Sequence, residues 1–228
     1  LHKLFFPPPA RYSEDIDLAQ IFAEPIGHAL DALRKRLDPW LGTPRRTRGE
    51  GRVTLAYRFD AEGLPVTRLR LKVEINPREH FAVHGHHRRP VRVDNPWFSG
   101  GADVVTFTLE ELLGTKLRAL YQRKKGRDLF DLARALEAHP TLDRSKVVAC
   151  FDAYMRHGGT PCSRAEFEVN LAEKEADSGF LKDVHALLAI VPGGHKPGQD
   201  AYDAVEALGV VRREFVGLLP GDPWRRPR

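Results

Sequence analysis

"YSEDIDL", residues 12–18, is the stretch on which the fold turns. In an extended segment side chains alternate, so Ser13, Asp15 and Asp17 share one face and Tyr12, Ile16 and Leu18 the other, with Glu14 intruding. Two carboxylates side by side repel and raise one pKa unless a cation holds them, and hard oxygen ligands are what Mg²⁺ prefers. A solvated acidic turn, or a helix N-terminus enriched in acids, competes with that reading. Which one holds depends on what the rest of the chain sets beside the pair.

A second strand offers a partner. "RVTLAYRF" (52–59) and "TRLRLKVEIN" (67–76) alternate strongly, and "DAEGLP" between them supplies turn residues, which predicts a hairpin. In the later strand Leu69, Leu71, Val73 and Ile75 share one face, leaving Arg70, Lys72, Glu74 and Asn76 on the other. If this strand lies beside the first, Glu74 faces Asp15 and Asp17 as a third carboxylate; a solvated polar face accounts for it equally. Before the hairpin, Ile26, Ala29, Leu30, Leu33 and Leu37 recur at helical spacing, predicting a helix from Pro25 to about Leu37. "TPRRTRGEGR" (43–52) reads as a basic, Gly-containing loop. "LHKLFF" has the character of a helix tail, stopped by Pro7 to Pro9.

"HFAVHGHHRRPVRV" (80–93) gathers His80, His84, His86 and His87, but Arg88 and Arg89 follow directly and no second cluster completes a metal site, so it reads as an exposed loop. "PVRVDNPWFSGGADVVTFT" (90–108) then predicts two short strands around a turn.

The stretch "TFTLEELLGTKLRALYQRKKGRDLFDLARAL" (106–136) holds a lysine in an unexpected place. Thr108 with Glu111 three residues on is a capping-box start. On a helix beginning there, Leu109, Leu112, Leu113, Leu117 and Leu120 form the apolar stripe, and at ~100° per residue Lys116 falls inside it. Its ammonium either snorkels out to water or meets an anion, a phosphate being one that a lysine on a rigid helix suits. After the basic turn "QRKKG", a second helix carries Arg127, Asp128 and Asp131, the two acids sharing a face at a spacing of three. These three form either a structural ion-pair network or part of a site.

Composition narrows the function classes. With 42% hydrophobic residues among 228, the chain builds a real core. No apolar run approaches the ~20 residues of a membrane span and no signal peptide is visible, so the expectation is a cytoplasmic protein without membrane contact. Cys150 and Cys162 fit neither a disulfide framework nor a zinc ligand set and read as free thiols. A net charge of +5 and a pI near 9.3 favour an anionic partner.

Taken together, "YSEDIDL", "LKVEIN" and "KLRALYQRKKGRDLFDL" resemble the AbiEii/AbiGii-type nucleotidyltransferase toxins, a family that includes the mycobacterial MenT group. The resemblance covers about residues 1–136. It implies an α+β fold: a DNA-polymerase-β-like nucleotidyltransferase core with a mixed sheet over residues 1–136, then a mostly helical region over 137–228 with a flexible tail. It implies Asp15 and Asp17 as ligands of Mg²⁺ carrying an NTP substrate, with Glu74 as a third carboxylate. Lys116 matches the family's later lysine, and either Asp128 or Asp131 its final acid. Ser13 and Arg127 stand where phosphate contacts are expected. Relatives act on tRNA 3′ ends, and a cognate antitoxin protein is the implied partner. A small-molecule or protein acceptor, or an inactive RNA- or partner-binding module, are the rival readings. Members also carry a Gly-Gly or Gly-Ser loop ahead of the aspartates; none precedes them here, so the core is expected to be N-terminally incomplete.

Overall fold

Alternation in β1 (Asp15–Ala19) and β4 (Arg68–Asn76) builds the first half of the fold. The computed structural model describes residues 1–6, 9–13, 15–49, 51–96, 98–188 and 202–225. The chain divides into two units, one formed by Ser13–Phe81 and the other by Leu1–Tyr12 together with Ala82–Arg228.

In the Ser13–Phe81 unit a four-stranded sheet has the order β1-β4-β3-β2, where β2 is Arg45–Gly49 and β3 is Arg52–Asp60. β1 runs parallel to β4 and the other pairs are antiparallel, so the sheet is mixed. One helix, α2 (Gly27–Leu41), covers the apolar face: Leu30 and Leu41 are buried with Val53, Leu55, Tyr57, Val73 and Ile75, the odd-numbered residues of β3 and β4. The Tyr57 hydroxyl donates to Asp38 Oδ1 at 2.9 Å, tying helix to sheet; burial and that neighbouring carboxylate push the phenol up to about 12.

Several expectations are corrected here. Residues 45–49 form β2 and not a loop, because Gly51 takes φ +72° and turns the chain back onto β3. β2 is a fully exposed edge strand whose arginines guard an open edge. The helix runs from Gly27 to Leu41, beyond the expected end near Leu37. Pro39 sits in its last turn, where it removes one backbone donor, while Leu41 beyond it gains full burial. Ile16 and Leu18, apolar residues of β1, stay exposed at the sheet's other edge.

The second unit is mostly helical. α3 (Leu109–Gln122), α4 (Gly126–Ala138), α5 (Arg144–His157), α6 (Arg164–Glu175) and α8 (Ala204–Glu214) share one core, to which α1 (His2–Phe5) adds Phe5. A short α7 (Ser178–Lys182) contributes Phe180. The expected boundary at 136/137 would cut through this core, since Leu136, Leu142 and Phe151 belong to one buried cluster. The first residues pack there too, through Phe5 and Phe6. β5 (His87–Asn95) and β6 (Phe98–Thr106) form a separate two-stranded ribbon, so the histidine-rich segment becomes strand from His87 onward. Cys150 and Cys162 are buried free thiols, both pushed up to about 11 by burial. Among the described residues no helix is long and apolar enough to cross a membrane. Pro7, Pro8, Glu14 and the last three residues of the expected tail lie outside the described residues.

Helices α3 and α5 meet at Gly114, where an added Cβ would lie 2.6 Å from the Cys150 Cβ and 3.0 Å from backbone atoms of α5. Gly114→Ala is therefore expected to destabilise by about 1–3 kcal/mol despite alanine's better helix propensity, because α5 backbone must shift. Thermal unfolding checks it; a stabilised variant would show that the helices separate freely.

Candidate active site

The acidic pair is set by register. Asp15 faces Lys72 and Asp17 faces Glu74 across the parallel β1–β4 ladder, so all four project from the sheet face opposite α2. Asp17 is exposed, and among the described residues it forms no hydrogen bond or ion pair. A pocket of about 190 Å³ opens beside it, lined by Asp17, Gly51, Arg52, Glu74 and Asn76. Ser13 is exposed just before β1, and its hydroxyl donates to the Asp15 carbonyl at 3.4 Å.

The third carboxylate is already held by cations. Lys72 Nζ is 2.7 Å from Glu74 Oε1 and 3.4 Å from Asp15 Oδ2, and Arg52 donates to Glu74 Oε2 at 3.1 Å. The hydrogen bond to Glu74 and the charge of Asp15 hold the Lys72 ammonium above its usual pKa, against the effect of partial burial. Among the described residues no three His, Cys, Asp or Glu side chains converge on one metal position. Two carboxylates with open solvent beside them still suit a hard divalent cation of the Mg²⁺ kind, which keeps waters and takes substrate phosphate oxygens for its remaining positions. Asp15 and Asp17 would hold it, with Lys72 competing for Asp15. Lys72→Met is thus expected to tighten Mn²⁺ binding roughly tenfold by removing a competing charge, measured by calorimetric titration. Weaker or unchanged binding would mean that Lys72 does not compete.

In the helical unit, Lys116 meets carboxylates within its own fold. Its Nζ lies 3.2 Å from Asp128 Oδ1 and 3.0 Å from Asp131 Oδ2, and both aspartate side chains are fully buried. Asp128 also receives Arg123 through Nε at 2.7 Å and a second guanidinium nitrogen at 2.9 Å. Asp131 receives Arg11 in the same two-pronged way, at 2.7 and 2.8 Å, and His2 Nε2 at 2.7 Å. Since an ionised carboxylate only accepts, His2 carries its proton on Nε2. Burial alone would push Asp131 up, but the hydrogen bonds from Arg11 and His2 and the Lys116 charge outweigh it and hold the carboxyl well below the usual range.

The structure brings the expected residues together in two sets: Asp15, Asp17 and Glu74 on the sheet, and Lys116, Asp128 and Asp131 on α3 and α4. Arg127 is half-buried on α4, and among the described residues it pairs with neither aspartate. Sequence reasoning missed His2, Arg11, Arg123, Arg52 and the role of Lys72. It also missed Glu111, whose carboxylate is buried and accepts from the Val83 and His84 amides and the Tyr154 hydroxyl instead of closing the capping box. Thr108 supplies the cap alone, accepting from the Glu111 amide.

The family profile described as "Nucleotidyl transferase AbiEii toxin, Type IV TA system" matches residues 1–205. Among solved structures, the chain is similar to MenT4, a nucleotidyltransferase toxin from Mycobacterium tuberculosis H37Rv. The two share 16% identity with a TM-score of 0.62, over 95% of this chain and 72% of that one. At this identity the likeness concerns the fold. A search of curated proteins finds no match.

Proposed function

Because this chain belongs to the AbiEii family of nucleotidyltransferase toxins of type IV toxin–antitoxin systems, we propose that it transfers a nucleoside monophosphate from an NTP to an RNA, with a tRNA 3′ end as acceptor and Mg²⁺ held by Asp15 and Asp17. The observation that carries this reading is the register of β1 on β4, which lines up Asp15, Asp17 and Glu74 on one open sheet face. The fold is that of a DNA-polymerase-β-like core with helices. Membership of the family implies a cognate antitoxin.

The reaction is in-line attack of an RNA hydroxyl on the α-phosphorus. An O–P bond forms, the bond from the α-phosphorus to the oxygen bridging to the β-phosphate breaks, the hydroxyl's proton passes to water, and pyrophosphate leaves. When bound, the divalent ion supplies charge neutralisation on the triphosphate and a more acidic hydroxyl. Asp15 and Asp17 fix the site's position from a rigid strand. Glu74, gripped by Lys72 and Arg52, keeps the polar cluster in one geometry. Lys116, Asp128 and Asp131 hold α3 and α4 together with Arg11 and His2.

The test is incubation of the protein with Mg²⁺, total tRNA and each α-³²P-labelled NTP in turn. The expected result is a labelled tRNA band for one nucleotide, lost in Asp15→Ala. Label on protein or on a small molecule would replace the RNA acceptor. No label anywhere, with tRNA still bound, would leave a binding module.

A further inference from the structure

The polar face of the sheet carries arginines that stand without counter-ions among the described residues. Arg58 and Arg70 lie directly opposite each other on β3 and β4, and such cross-strand pairs hold their Cβ atoms about 5 Å apart on one face. Both side chains are exposed, and neither forms a hydrogen bond or ion pair with another described residue. Like charges so placed destabilise a sheet. The acid in the neighbouring row does not relieve them, because Asp60 is taken by Arg68 at 3.4 Å. Arg45 adds a third exposed cation without a described partner. It faces Ala56 on β3 and is thus a diagonal neighbour of Arg58.

The position of this cluster relative to the acids is fixed by the same ladders. The row that contains Asp15, Lys72 and Ala56 is two residues from the Arg58–Arg70 row, about 7 Å along the strands. Acids therefore occupy one end of the face, Arg45 stands on β2 at the far side of the Asp15 row, and the Arg58–Arg70 pair fills the next row. Arg45 and Arg70 are two strand spacings apart across the sheet and two residues apart along it, about 12 Å in all, too wide for one phosphate and suited to a chain of them. Guanidinium groups grip phosphate oxygens in pairs and are always charged. Contacts to backbone phosphate position a nucleic acid without reading its sequence. An anion between Arg58 and Arg70 would also relieve their repulsion, so part of the fold's cost returns as affinity.

We propose that Arg45, Arg58 and Arg70 form the track that holds the phosphodiester backbone of the acceptor RNA and leads its end to the Asp15/Asp17 pair. This rests on the RNA-directed reading and adds which surface holds the acceptor.

The full-length chain carrying R58A/R70A tests it, with fluorescence anisotropy on labelled total tRNA, without NTP, across a range of salt concentrations. The expected result is at least a tenfold rise in Kd and a salt dependence shallower by about one to two phosphate contacts. R58K/R70K, which keeps the charges, is expected to retain most of the affinity. K35A/R36A removes the same net charge from exposed positions of α2, the helix on the other face of the sheet, and is expected to shift Kd less than about threefold. Because the alanines relieve repulsion, the R58A/R70A chain should unfold at the wild-type temperature or above it. Unchanged tRNA affinity would overturn the track, as would an equal loss in K35A/R36A. Intact tRNA affinity with lost binding of polyglutamate would overturn it in favour of an acidic protein; intact tRNA affinity with lost NTP binding would overturn it in favour of the triphosphate. Wild type that transfers no label to RNA, yet loses tRNA affinity in R58A/R70A, sinks the RNA-directed reaction and upholds the track.

Discussion

Asp17→Asn is expected to reduce nucleotidyl transfer by roughly a thousandfold or more while leaving the fold as stable as wild type, since a metal's contribution of several kcal/mol to the transition state is forfeited. The two halves of that expectation come from different features. Asp17 is exposed on an edge strand and bonds to no other described residue, so its charge holds nothing in place. Substitutions at such positions change stability by about 0.5 kcal/mol or less. Removing one of two adjacent like charges relieves repulsion, which pushes any small effect toward stabilisation. Asparagine keeps the shape and one oxygen, so what is lost is charge. Transfer measured at saturating NTP and RNA, beside a thermal melt, separates the outcomes. Activity within tenfold of wild type would mean that the pair holds no metal. An activity loss with a large drop in melting temperature would mean that the carboxylate is structural.

The sheet half of this site was legible because strands have an exact period of two. Once "TRLRLKVEIN" is a strand, Lys72 and Glu74 must share a face, and the register that sets the apolar Ile16 and Leu18 against Val73 and Ile75 puts Asp15 and Asp17 on that face. β2 was not legible, since "RRTRG" has no apolar alternation to detect. What makes it a strand is the turn at Gly51 and the backbone bonds that β3 offers. Lys116 was legible as an anomaly: a cation in an apolar stripe needs an anion. Asp128 and Asp131, twelve and fifteen residues on, are that anion. The rest of the network was hidden by sequence distance. Arg11 and His2 reach Asp131 from 120 and 129 residues away, and no local pattern marks a residue for so remote a partner. Arg123 was hidden differently, inside "QRKKG", where an ordinary solvated basic turn explains every residue.

Asp131→Asn carries the largest expected stability cost, about 3–5 kcal/mol, because removing one partner of a buried ionic network leaves the others as uncompensated charges. Arg11 is only 10% exposed and His2 only 2%, so neither can turn to water without moving the chain that carries it. Lys116→Met should cost less. It leaves Asp128 held by Arg123 through two hydrogen bonds and Asp131 held by Arg11 and His2 through three. Urea unfolding of both variants checks the order; Asp131→Asn within about 1 kcal/mol of wild type would mean that the network's desolvation cost cancels its attraction. The pH dependence provides a second and independent reading. Asp131 has a folded pKa held below its unfolded value, so its contribution is complete above about pH 4 and is lost as pH falls from there toward the folded pKa. Asparagine has nothing to titrate. The stability gap between wild type and Asp131→Asn should therefore be constant near neutrality and narrow below about pH 4, with the wild-type curve falling toward the variant's. A gap that stayed constant into acid would assign the cost to lost shape and hydrogen-bond geometry, and the carboxylate's charge would then play no part in holding α1, α3 and α4 together.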